Sequence, residues 1–204
     1  LEECERRGIK VISLQGETEL LETIPSVAEL TVWFILELLR RPHTEERYIG
    51  NQLKNKIVGI VGLGRIGTHV AERLKVFELK DLRYTNDWKR CDDFGEWDII
   101  SLHVPLNKET EGMINEEHFN LMKPGAILVN TSRPQIIDKK ALIKSIKEKS
   151  IGYGQDFEDI DLYDLALEGY NVVLTDHIGG CTEEAIEKTR NFIESKVDAY
   201  LKNN

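Results

Sequence analysis

The chain has 204 residues, of which 41% are apolar and 31% charged, and its net charge is −9 at pH 7. This length suits one large domain, or one domain with part of another. The acidic balance argues against a nucleic-acid partner or an anionic membrane surface, and no apolar run reaches membrane-spanning length. The three cysteines are scattered, so we predict no metal site, no disulfide framework and a reduced, cytoplasmic setting.

The N-terminal part is predicted to be irregular before one long apolar helix. Residues 9–13 indicate a short strand, and residues 15–23 a polar loop. Residues 26–41, SVAELTVWFILELLRR, predict a helix with apolar side chains around nearly its whole circumference, which must be buried. One domain surface covers only one side of a helix. We therefore predict that this helix also packs against a second subunit, in a homodimer, or against another domain.

Strands and helices alternate along the remainder of the chain. The runs IVGIV, DIISL and AILVN are apolar throughout, as is typical of strands buried on both faces. The alternation predicts an α/β fold, a Rossmann-type doubly wound parallel sheet with helices on both faces. The predicted strands are 56–61, 81–84, 97–102, 126–130, 151–155 and 172–175, and the predicted helices are 66–77, 115–121, 138–148 and 182–201.

A glycine motif lies between the first of these strands and the first of these helices. In VGLGRIGTHVAERL, Gly62 permits a tight turn, Gly64 lets a pyrophosphate approach the backbone, and Gly67 lets the helix pack closely on the strand. The N-terminus of the helix offers N–H groups and a positive dipole end to phosphates. The motif therefore predicts dinucleotide binding.

The end of the second predicted strand should meet the ribose of the dinucleotide. Asp87 can accept hydrogen bonds from the ribose hydroxyls of NAD. Alternatively, Thr85 together with Arg83, Lys89 or Arg90 can accept the 2′-phosphate of NADP. Asp87 would repel that phosphate, which favours NAD without excluding NADP.

Three later stretches carry polar residues just after predicted strands. They are SLHVPLNKETEGMINEEHFNLMKPGAILVNTSRP, GYGQDFED and NVVLTDHIGGCTEEA. With these motifs in order, the chain resembles the nucleotide-binding domain of the D-isomer-specific 2-hydroxyacid dehydrogenase family. The family usually has a second, flavodoxin-like substrate domain. The resemblance implies that residues 1–25 are a remnant of, or a connection to, such a domain, and that residues 26–204 form the NAD(P)-binding domain. The start at Leu1 rather than Met agrees with this division.

The resemblance implies three catalytic side chains. Arg133 in NTSRP matches the arginine that binds the substrate carboxylate, and His177 in DHIGG matches the histidine that exchanges the hydroxyl proton. A guanidinium can bind a carboxylate through two hydrogen bonds, and an imidazole titrates near neutral pH. The family's glutamate partner of the histidine falls on Asp161 by a gapless count, or on Glu158 if two or three residues are deleted. The remaining alternative is that this acid is lost.

Other positions are implied as cofactor contacts, at the pyrophosphate, the adenosine part and the nicotinamide. The positions that match are Arg65, Ile66, Val104, Pro105, Thr131, Asp156 and Gly180. Residues 152–164, GYGQDFEDIDLYD, form an acidic stretch, and two of its other carboxylates, Asp159 and Asp164, are expected to be solvated. The chain departs from the family pattern at Pro134, where a glycine is usual, and at Asp176, where a proline is usual.

The implied function is an NAD-dependent enzyme that transfers a hydride between NAD(H) and a small 2-hydroxy or 2-keto acid. Two alternatives stand beside it. The departures from the family motifs favour a catalytically impaired dinucleotide-binding or dimerisation module. A relative of the formate or phosphite dehydrogenases would keep the arginine and the histidine.

Overall fold

Six parallel strands form the framework of the protein, whose computed structural model describes residues 2–40, 49–86 and 92–202. Pairing gives the order β2-β1-β3-β4-β5-β6. The strands are β1 (Ile57–Val61), β2 (Asp81–Thr85), β3 (Ile99–Leu102), β4 (Ile127–Asn130), β5 (Gly152–Gln155) and β6 (Val172–Leu174). The continuously apolar runs become strands buried along their whole length, as predicted.

Helices connect and cover the strands. They are α1 (Glu2–Arg6), α2 (Thr18–Glu22), α3 (Ser26–Arg40), α4 (Arg65–Leu74), α5 (Glu116–Leu121), α6 (Lys139–Lys149), α7 (Ile160–Leu167) and α8 (Glu183–Lys202). The helices predicted at 26–41, 66–77, 115–121, 138–148 and 182–201 are thus confirmed within one to three residues, except that Arg41 lies outside the described residues.

The apolar core lies on both faces of the sheet. On one face, α3 and α4 pack through residues such as Phe34 and Leu74. On the other face, α5, α6 and α7 pack through residues such as Phe119 and Leu142. Gly154 of β5 allows α3 to come close, because a Cβ there would lie 2.9 Å from Phe34 Cδ1. The predicted doubly wound fold with helices on both faces is confirmed.

Within the described chain, α3 is buried on one side, as predicted for a helix that one domain surface covers. Phe34, Ile35 and Leu38 are buried against the sheet, but Trp33 is 43% exposed. One side of this apolar helix is therefore not covered within the described chain.

Two predicted segments are corrected, and a third segment forms a helix that was not predicted. Residues 9–13 form no strand within the described part of the chain, and Ile9 and Val11 are exposed. The predicted loop 15–23 contains α2, and the acidic stretch contains α7. Leu162 and Leu165 of α7 are spaced so that both are buried on one side of the helix, which accounts for a helix in so acidic a segment.

The chain divides into two compact units, residues 27–179 and residues 1–26 together with 180–204. In the second unit, α8 is tied to the N-terminal segment by Lys188 Nζ, which donates to the Thr23 carbonyl at 2.9 Å, and by the ion pair of Lys196 with Glu17 at 3.1 Å. The division predicted from the resemblance, 1–25 and 26–204, stays a prediction. None of the helices in the described ranges is long and apolar enough to span a membrane.

Candidate active site

The carboxyl ends of the strands lie in one row. Parallel pairing aligns the last residue of every strand: Thr85, Val61, Leu102, Asn130, Gln155 and Leu174. Gly62, Arg133, Asp156 and His177 each follow this row within three residues. The strand order changes direction between β1 and β3, which is where open α/β sheets bind ligands. The fold thus brings distant sequence motifs to one edge of the sheet.

The glycine turn joins β1 to α4, and each glycine has a separate steric reason. Gly62 has φ +93°, and a Cβ there would lie 2.5 Å from the carbonyl oxygen of His103. A Cβ on Gly67 would overlap the Gly62 carbonyl oxygen, so Gly67 permits close packing of helix on strand. Gly64 is the N-cap of α4, and a Cβ there would meet nothing within 4 Å. The open side of the turn is therefore at Gly64, beside the N–H groups that begin the helix.

The end of β2 holds this turn in place. The Gly62 N–H donates to the Thr85 carbonyl at 2.8 Å, and the Leu63 N–H donates to Asn86 Oδ1 at 2.9 Å. Asn86 was not predicted, and its position directly after a strand is the signal that would have found it. Arg83 is directed elsewhere, since it pairs with Asp81 at 2.7 Å and with Glu96. Asp87, Lys89 and Arg90 lie outside the described residues.

The other predicted cofactor contacts of the larger unit lie near the same edge. Arg65 begins α4, and Ile66 packs partly against the core. Val104 is buried beside Gly62, and Pro105 is exposed. Thr131 is buried, and its Oγ1 lies 3.0 Å from the Oγ1 of Thr31 on α3. These placements are compatible with the predicted roles, which stay predictions.

His103 is a polar residue of this edge that was not predicted. Its Nε2 lies 2.8 Å from Ser101 Oγ, and its Nδ1 is buried without a hydrogen-bond partner among the described residues. Although part of the residue reaches solvent, burial of the imidazole lowers the pKa of His103 to about 3. The ring is therefore neutral at physiological pH.

The loop that carries His177 is fixed by Asp156. This carboxylate is 3% exposed. Its Oδ1 accepts from Thr175 Oγ1 at 2.6 Å and from the Ile178 N–H at 2.8 Å, and its Oδ2 accepts from the Gly179 N–H at 2.7 Å. His177 itself has φ +57°, a left-handed conformation that is uncommon outside glycine. Asp156 therefore positions the histidine loop, a role that its predicted contact with nicotinamide did not include.

Arg133 and His177 meet around a third side chain, Phe157. The Phe157 and His177 ring centroids lie 4.7 Å apart, and Arg133 Cζ lies 5.7 Å from the Phe157 ring centroid. The Arg133 guanidinium also donates to the Ser132 carbonyl at 2.6 Å. Pro134 begins a 3₁₀ turn directly after Arg133, which is how the chain accommodates proline in place of the family's glycine. The two predicted catalytic residues that follow β4 and β6 are thus brought together.

Asp161, the predicted partner of His177, forms an ion pair with Lys139. Asp161 Oδ2 pairs with Lys139 Nζ at 2.5 Å. Its role as the histidine's partner stays a prediction, as does that of the exposed Glu158.

Two other carboxylates of the acidic stretch have different fates. Asp159 was expected to be solvated, but its side chain is mostly buried. It is the N-cap of α7, accepting from the Asp161 and Leu162 N–H groups, and it pairs with Lys139 at 2.8 Å. Asp159, and after it Asp161, raise the pKa of the Lys139 ammonium. Asp164 is exposed, as expected.

A link between the acidic stretch and the histidine loop lies one residue before His177. Tyr163 of α7 donates its hydroxyl hydrogen to Asp176 Oδ1 at 2.9 Å. This bond to Asp176 raises the pKa of Tyr163. The aspartate that replaces the family's proline is therefore held by α7.

The remaining predicted contact, Gly180, belongs to the smaller compact unit. It is exposed, and a Cβ there would meet nothing within 4 Å. Across the described ranges, no group of three histidine, cysteine or acidic side chains is arranged to hold a metal ion.

A glycine turn of this geometry on a doubly wound parallel sheet defines a dinucleotide-binding domain of the Rossmann type. The chain belongs to the D-isomer specific 2-hydroxyacid dehydrogenase family, whose NAD binding domain matches residues 36–179. The resemblance read from the sequence motifs is thereby confirmed.

Individual relatives support this assignment. The glyoxylate reductase of Thermococcus litoralis is 37% identical over 99% of this chain and 70% of its own length. The glyoxylate reductase of Pyrococcus furiosus is 42% identical over 75% of this chain and 50% of its own length. The structure of D-lactate dehydrogenase from Aquifex aeolicus, complexed with NAD and lactic acid, matches with a TM-score of 0.77 and 30% identity, covering 99% of this chain and 72% of that one. The chain thus spans from half to about seven tenths of these proteins.

The comparisons identify the chain as the NAD-binding part of an NAD-dependent 2-hydroxyacid dehydrogenase. Its own residues fit that cofactor. The turn is open at Gly64, where a Cβ would meet nothing within 4 Å, so a pyrophosphate has room to approach the N–H groups that begin α4.

Proposed function

We propose that the protein interconverts a small 2-hydroxy acid and the corresponding 2-keto acid. The observation that carries this proposal is the placement of Arg133 and His177 around Phe157 at the carboxyl edge of the sheet. A guanidinium suited to a carboxylate and an imidazole suited to a hydroxyl proton thus contact the same ring. The names of the relatives favour short substrates such as glyoxylate.

Each residue has a distinct task in this proposal. Arg133 holds the substrate carboxylate through two hydrogen bonds, which fixes the orientation of the reacting carbon. His177 takes the proton from the hydroxyl oxygen in the oxidation and returns it in the reduction. Asp156 keeps the histidine loop in place. NAD, when bound, accepts or supplies the hydride.

The cofactor is proposed to lie along the edge that contains the glycine turn. Gly62, Gly64 and Gly67 with Arg65 and Ile66 would hold the pyrophosphate. Around them, the proposed contacts are Thr85 and Asp87 at the ribose, Val104 and Pro105 at the adenosine part, and Thr131, Asp156 and Gly180 towards the nicotinamide.

The test is NADH oxidation with a panel of 2-keto acids headed by glyoxylate. Arg133→Ala should lower kcat/KM for the keto acid by about 100-fold, as the loss of a single charge-stabilising group does in other enzymes, while NADH affinity changes little. Lys144→Ala, which removes an exposed cation of α6, is the control and should behave as wild type. Equal losses of keto-acid use and NADH affinity in Arg133→Ala would contradict the assignment.

A catalytically impaired dinucleotide-binding module is the second candidate. It is favoured by one observation, the pairing of the predicted catalytic acid Asp161 with Lys139. The same assay decides between the two, since an impaired module would bind NADH saturably and oxidise it with none of the keto acids.

We also propose that the protein is a homodimer through α3. Trp33 is 43% exposed on an otherwise largely apolar helix. Such a surface is usually covered by a partner. Trp33→Glu should convert a dimer to a monomer in sedimentation velocity, whereas Val76→Glu, at an apolar residue that is 78% exposed elsewhere, should not. A wild-type monomer would exclude the dimer.

A cytoplasmic location is proposed as well. Cys4 is a free thiol, as is normal in a reducing compartment. Cell fractionation should recover the protein with soluble cytoplasmic markers, and recovery in a secreted or membrane fraction would contradict this.

A further inference from the structure

The Phe157 ring contacts both proposed catalytic residues, Arg133 and His177. The centroids of the Phe157 and His177 rings lie 4.7 Å apart, and Arg133 Cζ lies 5.7 Å from the Phe157 ring centroid. Arg133 and His177 are both exposed, whereas Phe157 is partly buried.

A buried hydrogen-bond network supports this arrangement from below. Asn130 Nδ2 donates to the Arg133 carbonyl at 2.8 Å, and Asn130, at the end of β4, pairs with Gln155 at the end of β5. Tyr153 donates to Gln155 Oε1 at 2.8 Å, and Gln155 Nε2 donates to the Phe157 carbonyl at 3.0 Å.

The three linking side chains are almost fully buried. Asn130, Tyr153 and Gln155 are each at most 1% exposed. Buried polar groups that satisfy one another form rigid, well-specified networks. The backbones of Arg133 and Phe157 are therefore tied to each other through the ends of β4 and β5, and not only through contact at the surface.

We propose that Phe157 is a positioning residue that sets the spacing between Arg133 and His177. This inference rests on the proposed function, because it assumes that Arg133 binds a substrate carboxylate and that His177 exchanges a proton. Two tilted aromatic rings attract each other, and a cation is attracted to the face of an aromatic ring. Both contacts restrict the rotation of the side chains involved. The ring thereby restricts the rotation of two exposed side chains, and so sets the distance between the guanidinium and the imidazole.

The first test is independent of catalysis. The imidazole proton resonances of His177, assigned by comparison with His177→Gln, are measured by NMR in wild type, Phe157→Leu and Phe157→Tyr. Ring currents from an adjacent aromatic ring should shift these resonances in wild type and in Phe157→Tyr. They should move towards values of an unstacked histidine in Phe157→Leu. Resonances that are the same in all three proteins would overturn the proposal.

The second test is kinetic. Phe157→Leu should lower kcat for the keto acid by about tenfold or more, since ångström-scale misplacement of catalytic groups has effects of that size. NADH affinity should not change, and Phe157→Tyr should restore kcat to within about threefold of wild type because it keeps the ring. Tyr153→Phe, which removes one hydroxyl from the network, should lower kcat in the same direction but by less.

The outcomes separate the two proposals. No turnover by wild type with any keto acid would refute the proposed function, while the NMR comparison would still decide whether Phe157 positions His177. Turnover by Phe157→Leu equal to that of wild type would refute the positioning role and leave the proposed function standing.

Discussion

The glycine turn after β1 and the histidine loop after β6 border the same edge of the sheet but are held by different means. The turn is shaped by the absence of side chains, because Gly62 and Gly67 leave no room for a Cβ. The loop is shaped by the presence of one buried side chain, Asp156, which binds the N–H group of Gly179 from 23 residues away. One region is thus specified by local sequence, and the other by packing between strands distant in sequence.

The largest effect is expected in the glycine turn. Gly67→Ala places a Cβ against the Gly62 carbonyl oxygen, where only backbone movement can relieve the overlap. We expect a loss of about 4 kcal/mol in the free energy of unfolding, or no folded protein. Urea unfolding followed by circular dichroism measures this.

Gly64→Ala is the matched control in the same turn. A Cβ at Gly64 meets nothing within 4 Å and φ is −82°, so stability should be nearly unchanged. NAD affinity should nevertheless fall by about tenfold, because the methyl group occupies the approach to the backbone. Comparable destabilisation by both alanines would show that local sterics do not define the turn.

In the histidine loop, Asp156→Ala should cost about 3 kcal/mol of stability. The change leaves the Ile178 and Gly179 N–H groups and the Thr175 hydroxyl without their buried acceptor. The loss should appear in urea unfolding. Faster hydrogen exchange at Ile178 and Gly179 should accompany it. Unchanged exchange at these two amides would mean that the loop is held by something other than Asp156.

The same contrast explains what could be predicted from the sequence. The spacing of Gly62, Gly64 and Gly67 between a strand and a helix determines the turn, so the residue types alone were sufficient to predict it. The contacts of Asp156 and Phe157 depend on β5 lying beside β6 and β4, which no local pattern encodes. The doubly wound sheet was predictable for the same reason as the turn, since each buried strand is an unbroken apolar run.

The acidic stretch is an intermediate case. Asp159 followed by buried Leu162 and Leu165 is a helix start with an apolar face, and that signal was present in the sequence. What no pattern indicated was that Lys139, from another helix, would pair with both Asp159 and Asp161. Candidate catalytic acids were therefore predicted from an alignment of motifs, whereas their partners are set by the packing of α6 beside α7.

A pH-dependent effect of intermediate size should come from His103, beside the glycine turn. Its pKa is lowered to about 3 by burial, against 6.5 for an unperturbed histidine. Above pH 6.5 neither the folded nor the unfolded state binds the proton. Between pH 6.5 and 3 only the unfolded state does, so stability falls as the pH falls. From pH 7.5 to pH 5.0 this group alone should remove about 2 kcal/mol.

The check is urea unfolding of wild type and His103→Gln at both pH values. The variant should lose about 2 kcal/mol less than wild type over this interval, whatever its stability at pH 7.5. An equal pH dependence in the two proteins would mean that the imidazole is protonated in the folded state.

The smallest effects are expected at the start of α7, where two neighbouring aspartates differ in burial. Asp159→Ala removes an N-cap that accepts from two backbone N–H groups, and should cost about 1 kcal/mol. Asp161→Asn removes one end of an ion pair whose Asp161 side chain is 57% exposed, and should cost less than about 0.5 kcal/mol. Thermal unfolding of both variants resolves this difference. Because Asp161 pairs with Lys139, kcat should also survive in Asp161→Asn. A large loss of kcat without a loss of stability would instead assign Asp161 to His177, and would show that α7 moves toward the histidine loop during turnover.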